Sequence, residues 1–321
     1  MTASTASPVA QETRRQHALD RYHVVDSLPA TVYDDLVNVA AALCGTPIAV
    51  VSLIDRDRQW FKARIGLDEH QTTRDTAVCD HAIRQPDELL EVQDLNEDAR
   101  FNYFPIVTGE VKARFYAGMP LVTDKGEAIG TVCVVDTQPR RLNSQQKASL
   151  RALARVTMAL LDAHRAHHDA RAIAALQPEI SPVVATPSAP APSPCPAYAV
   201  AIIELQGMAD AARRIGERTL ERQLQGMAPE FDACVAAELG DHVSRVTDSP
   251  EYVALLHGDG VESRIQALRT VARDAGRREG LSLLVGTATA ASGEALHRVY
   301  ARAEEDLSLQ KDAAANDRAA A

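Results

Sequence analysis

The chain lacks any long apolar run. No window of its 321 residues approaches the roughly 18 uninterrupted apolar positions of a membrane-crossing helix, so no membrane span is expected. The opening stretch, MTASTASPVAQETRRQHALD, has no apolar centre and does not read as a signal peptide. Basic residues are in deficit, with 34 Lys and Arg against 44 Asp and Glu and a formal net charge of −10. A broad nucleic-acid or anionic-membrane surface needs clustered positive charge, so neither partner is expected. Cysteines are few, odd in number and scattered (Cys44, Cys79, Cys133, Cys195 and Cys234). None stands in a zinc-type or CxxC spacing, and the pattern fits a reducing cytoplasm. Only 4% of the chain is aromatic, and most of those rings lie in the first half, so their clustering there carries weight.

Against these absences stands one information-rich stretch, Ala113 to Asp136 (ARFYAGMPLVTDKGEAIGTVCVVD). Two apolar runs, Phe115–Val122 and Ala128–Val135, flank Asp124-Lys125-Gly126-Glu127. β-Branched and aromatic residues suit a pleated, half-buried surface, and a four-residue connection containing Gly suits a hairpin. Gly118 and Gly130 interrupt the runs, and a strand glycine marks a bulge or a close approach of ligand or backbone. The stretch therefore predicts the central hairpin of an antiparallel sheet.

Along the rest of the chain, residues 1–13 are expected to be disordered, with a first helix from Arg14 into Tyr22. Ala30–Leu43 has helical spacing. Strands are expected at Ile48–Ile54, Gln59–Arg64 and Leu89–Val92, and a short helix around Cys79–Ile83. Asn143 or Ser144 caps a long helix running to about Ala175. His164, His167 and His168 share a face of it, and a solvated surface is expected there. Seven prolines between Pro178 and Pro196 form a semi-rigid spacer. Beyond it the expected order is strand, helix (Ala209–Gln225), helix (around Pro229–Leu239), two strands (His242–Val246, Tyr252–His257), helix, strand (Leu281–Ala288) and a last helix (Gly293–Lys311).

The motifs RFYAGMPL, DKG and IGTVCVVD, with SLIDRDRQWFKARIGL (Ser52–Leu67), AVCDHAI (Ala77–Ile83) and DLNEDARF (Asp94–Phe101) upstream in the same order, resemble a bacterial GAF domain over residues 18–165. The resemblance implies a small sensory module of the kind found ahead of histidine kinases and cyclic-di-GMP enzymes. It further implies a ligand held between the sheet and its covering helices and loops. Candidate lining residues are Trp60, Phe61, Cys79, His81, Phe101, Tyr103, Phe115, Tyr116 and Cys133. Adjacent strand residues point to opposite faces, so at most one of Trp60 and Phe61, and one of Phe115 and Tyr116, can reach a pocket. Cys79 and Cys133 match positions commonly Cys in this subfamily, as a facing thiol pair or as ligand contacts. A free Cys is also a small buried hydrophobe, and a reactive one needs a lowered pKa and access, which His81 two residues on could assist. No Cys-His pair of the bilin-carrying kind is present, so no chromophore is expected. Asp136 with Arg140 and Arg141 suggests an ion pair.

The second half is similar in element order to the palm-like diguanylate cyclase (GGDEF) domain over residues 198–318. That family joins two GTP molecules with Mg²⁺, using carboxylates and a glycine-rich hairpin for charge neutralisation and positioning. Carried over by position, the metal Asp of the first strand falls at Glu204 and the next Asp at Gln206. The Phe-Lys pair falls at Met208-Ala209, the guanine-binding Asn-Asp at Ala212-Arg213 and the later Gly-Asp at Leu220-Glu221. The signature hairpin falls in Thr247-Asp248-Ser249-Pro250-Glu251-Tyr252, without either glycine and with Pro250 where a metal carboxylate belongs. The inhibitory Arg falls at Glu238, ahead of Asp241. Arg245 and Lys311 remain. The resemblance implies a degenerate, catalytically inactive cyclase domain in which Glu204 and Glu251 are a vestigial cation pair or ordinary carboxylates.

The expected fold is α/β (α+β): residues 1–13 disordered, an antiparallel-sheet GAF domain with flanking helices at 14–175, a Pro/Ala/Ser-rich linker at 176–197 and a GGDEF-like domain at 198–318. The expected function is bacterial, cytoplasmic signal transduction. The first domain senses an unidentified small ligand or redox state, and the second serves for interaction or nucleotide binding. The expected partners are a downstream signalling protein and a second copy of the chain. No catalytic residue, metal ligand or cofactor is assigned. The alternatives are a divergent diguanylate cyclase making cyclic-di-GMP from GTP, and a thiol redox switch through Cys79 and Cys133.

Overall fold

Alternation of side chains along the central strands gives the first half of the protein two cores, one on each face of a single sheet. The computed structural model describes residues 7–177, 198–247 and 249–320. These form two units that meet in the chain between Arg165 and Ala166. No helix among the described residues is long and apolar enough to cross a membrane.

The first unit runs α1 (Pro8–Asp20), α2 (Thr31–Cys44), β1 (Ile48–Ile54), β2 (Arg58–Ile65), β3 (Gln71–Thr73), α3 (Val78–Ala82), β4 (Leu90–Val92), α4 (Pro105–Thr108), β5 (Phe115–Val122), β6 (Ala128–Asp136) and the start of α5 (Ser144–Ala175). Its strands form one antiparallel sheet in the order β3-β2-β1-β6-β5-β4. Every residue of β6 is buried, as the centre of a sheet covered on both faces requires. On one face Leu53, Trp60, Phe115, Val132 and Val134 pack with Leu19, Leu36, Ala40, Leu150 and Leu161. These come from α1, α2 and α5, and each such buried side chain contributes about 1.5–3 kcal/mol of transfer free energy. On the other face Val50, Phe61, Tyr116, Cys133 and Val135 meet Val78, Cys79, Leu95, Phe101 and Phe104. That cover is a short helix and loops rather than long helices.

Local signals explain the element ends. Gly45 closes α2 in the left-handed region (φ 64°), its N–H bonding Ala41 O, as glycine does after a helix. At the start of α5, Asn143 Oδ1 accepts from Gln146 N at 2.9 Å and Gln146 Oε1 accepts from Asn143 N at 3.0 Å. This reciprocal capping box makes Asn143 the cap. Arg140 pairs with Asp136, as expected.

The second unit begins with the last turns of α5 and continues β7 (Tyr198–Gln206), α6 (Met208–Ile215), α7 (Glu217–Asp232), β8 (His242–Arg245), β9 (Glu251–His257), α8 (Val261–Glu279), β10 (Ser282–Thr289) and α9 (Leu296–Ala320). Its antiparallel sheet has the order β10-β7-β9-β8. Ala172 and Leu176 share a core with Val200, Ile202, Val253, Val299 and Leu307. Phe231 of α7 meets the Tyr252 ring at 4.9 Å.

Several expectations are corrected. Residues 8–13, expected disordered, begin α1, capped by Ser7 Oγ accepting from Ala10 N at 3.3 Å; residues 1–6 lie outside the described residues. The single helix expected at Ala209–Gln225 is two, broken at Gly216 (φ 83°). The helix expected around Pro229–Leu239 is the end of α7 and a 3-10 turn at Ala237–Leu239. The last helix runs on to Ala320. The end of α5, expected to leave the first domain as an exit helix, belongs to the second unit's core from Ala166 onward. The expected spacer at Pro178–Pro196, with Cys195, lies outside the described residues.

The capping box yields a direct expectation. Asn143→Ala and Gln146→Ala each lower stability to urea by about 1 kcal/mol. The double variant loses about the sum, since each bond joins one side chain to the other residue's backbone N–H, which its own substitution leaves in place.

Candidate functional site

Gly118 of β5 has no side chain, and the space a Cβ would take is filled by the Tyr116 hydroxyl, which lies 2.2 Å from that position. Tyr116 therefore lies along its own strand and reaches Cys79 of α3, its hydroxyl donating to Sγ at 3.2 Å. Gln59 of β2 donates to the same sulfur from Nε2 at 3.1 Å and to Ser52 Oγ of β1 at 3.1 Å. Thr72 Oγ1 donates to Gln59 Oε1 at 3.4 Å, on the side of the amide away from the thiol. Cys133 of β6, directly across from Gly118 and from Val50, places its sulfur 3.8 Å from that of Cys79. Cys79 and Cys133 are each 2% exposed.

The consequence is an asymmetric thiol pair. Burial, the largest influence on Cys79, would raise its pKa, but the polar groups around the sulfur, Cys133, Thr131, Tyr116 and Ser52, outweigh it and hold the thiol down at about 6. Cys133 lies well above the ordinary thiol value, because it shares its hydrogen with Cys79 and is itself buried beside that charge. One thiolate forms readily here and two do not.

Above the pair opens a cavity of about 390 Å³, within the range of small-molecule sites. Its walls are mostly apolar, including Val50, Phe61, Leu67, Val78, Leu95 and Ile106, while Thr72, Thr73, Thr76, Glu69 and Glu110 add polar groups. α3, which carries Cys79, is tied down by Asp80. That carboxylate meets Arg74 Nε at 2.7 Å and Arg84 at 2.6 Å. Arg74 also meets Glu12 of α1 at 2.6 Å. Burial would raise the Glu12 carboxyl, but hydrogen bonds from Arg15 and Arg74 hold it well below the usual carboxylate range.

Of the candidate lining residues, the structure brings Phe61, Cys79, Tyr116 and Cys133 to the cavity wall. Trp60 and Phe115, one residue off in strand parity, lie in the opposite core. Phe101 is fully buried under the loops, and Tyr103 is 66% exposed. His81 packs edge-on against Phe101 at 4.8 Å and near Phe104 at 6.2 Å, so it supports the loop and is not among the residues lining the cavity with Cys79. Gln59, Thr72, Thr73 and Thr76 were not foreseen. They come from the start of β2, from β3 and from the turn after it, and β3 carries no apolar alternation to announce it.

In the second unit Glu204 and Glu251 stand opposite one another on β7 and β9. Glu204 is held by Lys311 Nζ at 2.8 Å and by Gln206 Nε2 at 2.6 Å. Glu251 is 1% exposed, with His168 Nε2 at 3.1 Å. The same nitrogen lies 3.3 Å from Ser249 Oγ. His168, expected on a solvated helix face, is thus buried against the hairpin start. Pro250 and Tyr252 complete that start, Tyr252 donating to Leu224 O. Asp248 lies outside the described residues.

Residues 28–161 match the model of the GAF domain family. A cyclic di-GMP phosphodiesterase of Pseudomonas aeruginosa is 40% identical over 149 residues, 46% of this chain. The chain spans only 25% of that relative's length. Similar solved structures include the GAF domain of an Acinetobacter phosphoenolpyruvate-protein phosphotransferase (18% identity, 51% of this chain and 98% of that one, TM-score 0.34). A microbial GGDEF domain studied with cyclic di-GMP is another (17% identity, 37% and 74%, TM-score 0.33).

The thiol geometry sets a pH dependence. Thiolate absorbance present in the protein and absent in Cys79→Ser titrates with a midpoint near 6. Tyr116→Phe and Gly118→Ala move that midpoint upward by removing or displacing a donor. Because the folded value lies below the unfolded one of 9.0, the stabilisation from this ionisation is complete above about 9. It is lost as the pH falls through about 6, so urea titrations of the two proteins converge there.

Proposed function

We propose, from the GAF domain at residues 28–161, that this protein is a sensor in signal transduction, with the cavity over Cys79 and Cys133 as its input site and the second unit as a non-catalytic output. The cavity carries this reading. It is of ligand size and largely apolar, and it is closed at its floor by polar groups already bonded to one another. Such a site takes a small, largely apolar molecule with one polar end directed at the floor. Its cover is a five-residue helix and loops, the kind of element that opens locally more readily than long packed helices.

The output reading rests on residue chemistry. The second unit runs strand, two helices, two strands, helix, strand, helix, the order expected of a GGDEF-like domain, yet Glu204 and Glu251 are engaged by Lys311 and His168, and the hairpin lacks glycines for phosphate approach. A degenerate GGDEF-like domain, used for interaction or nucleotide binding, accounts for both. The cyclic di-GMP link of the Pseudomonas relative supports a setting in that signalling network. Free thiols at Cys44, Cys79, Cys133 and Cys234 suit a cytoplasmic setting. Apolar side chains left exposed on α2 (Val32, Val39 and Leu43) suit a homodimer, which light scattering at micromolar concentration would show and a monomer would contradict. The thiol pair supports a second reading, a redox switch at the same site.

Two measurements on the full chain test this. 2-Phenyl-2-propanol, a compact apolar probe with one hydroxyl, binds in ligand-observed NMR, and Ile106→Trp or Thr76→Trp, each filling the cavity, abolishes the signal. Retention of the signal in both filled variants would refute the site. GTP with Mg²⁺ gives no cyclic di-GMP; product formation would overturn the output reading.

A further inference from the structure

The floor of the cavity holds more chemistry than an apolar ligand needs. Two thiols 3.8 Å apart face a space of about 390 Å³. One of them receives a phenol and an amide N–H. The fully buried Thr131 hydroxyl, without a hydrogen-bond partner of good geometry, weighs on both sulfurs. Donors converging on a sulfur stabilise its anion, and the thiolate is the nucleophilic form. Its neighbour, held protonated, cannot compete for the same electrophile and is placed to attack afterwards.

We propose that Cys79 is a peroxidatic thiol for apolar alkyl hydroperoxides entering this cavity, and that Cys133 resolves the product as an internal disulfide. This rests on the cavity being a ligand site and names the ligand class. In the first step the Cys79 thiolate attacks the terminal peroxide oxygen. An S–O bond forms, the O–O bond breaks, and its electron pair leaves on the alkoxide, which is protonated to the alcohol. The Tyr116 hydroxyl beside the sulfur is the donor at hand, and the phenolate regains its proton from solvent. In the second step Cys133 sulfur attacks the Cys79 sulfenic acid. An S–S bond forms, the S–O bond breaks, and the hydroxyl leaves as water with the Cys133 proton. The two thiols supply both electrons that reduce the peroxide.

Closing the disulfide brings the sulfurs from 3.8 Å to about 2.05 Å. Cys133 lies in the middle of the central strand, so α3, five residues long, is the element that moves. Asp80 follows Cys79 on it and is bonded to Arg74, which is bonded to Glu12. Oxidation therefore reaches α1 through an unbroken chain of ion pairs.

The reduced full-length protein is treated with cumene hydroperoxide or hydrogen peroxide and digested with trypsin without reduction. The expected product is peptide Asp75–Arg84 joined to Gly126–Arg140. It forms at least tenfold faster with cumene hydroperoxide, whose apolar body suits the walls. Cys133→Ser instead gives a dimedone adduct on Cys79, and Cys79→Ser gives neither product. Intact Cys79 and Cys133 under excess cumene hydroperoxide, or no preference over hydrogen peroxide, would overturn the proposal. Binding of 2-phenyl-2-propanol with the thiols untouched would sink this inference alone and leave the sensory site standing. Disulfide formation at an unchanged rate in Ile106→Trp and Thr76→Trp would refute the cavity as the route.

Discussion

The first unit depends on one steric fact, that β5 carries a glycine two residues beyond a tyrosine. Strand neighbours at that spacing share a face, and a side chain at Gly118 would collide with the Tyr116 hydroxyl. Without one, the ring lies flat along the strand and its hydroxyl reaches Cys79. Cys133, the cross-strand neighbour of Gly118, occupies the same gap from the other side. A single missing Cβ thus brings a phenol and two thiols together at the floor of a cavity.

The two faces of the sheet divide labour. One is sealed by α1, α2 and α5 with large aliphatic and aromatic residues, which supplies stability. The other is covered by a five-residue helix and loops, which pack Val78, Leu95, Phe101 and Phe104 onto the sheet and are tied by the Asp80–Arg74–Glu12 ion pairs. Short elements and loops open locally more readily than long packed helices. A sensory site belongs on such a face, because a ligand shifts only equilibria separated by a few kcal/mol. In the second unit Glu204 is paired with Lys311 and Glu251 with His168.

Much of this was legible in the sequence where the signal is local. The hairpin at Phe115–Val122 and Ala128–Val135 follows from β-branched runs around a Gly-containing turn, and the start of α5 from a cap at Asn143 or Ser144. Strand parity puts Trp60 and Phe61 on opposite faces, but parity alone does not say which face holds the cavity, so it does not separate Trp60 and Phe115 from their neighbours. The early start of α1 carries a local signal, the Ser7 cap with Pro8 in the first turn, but one set in a polar stretch without an apolar stripe. The burial of His168 leaves no local trace, since Ser249 and Glu251, which meet it, lie on a hairpin far along the chain. β3 and its threonines escaped notice because a short, polar edge strand has no period to detect.

The central claim is that the cavity over the thiol pair, and not the helical face, responds to a small molecule. Hydrogen exchange of the reduced full chain, with and without saturating 2-phenyl-2-propanol, tests it most directly. The account predicts added protection confined to Gln71–Thr76, Val78–Ala82 and Pro105–Val111, with α2 unchanged. Protection absent from those segments, or appearing on α2 instead, would contradict it.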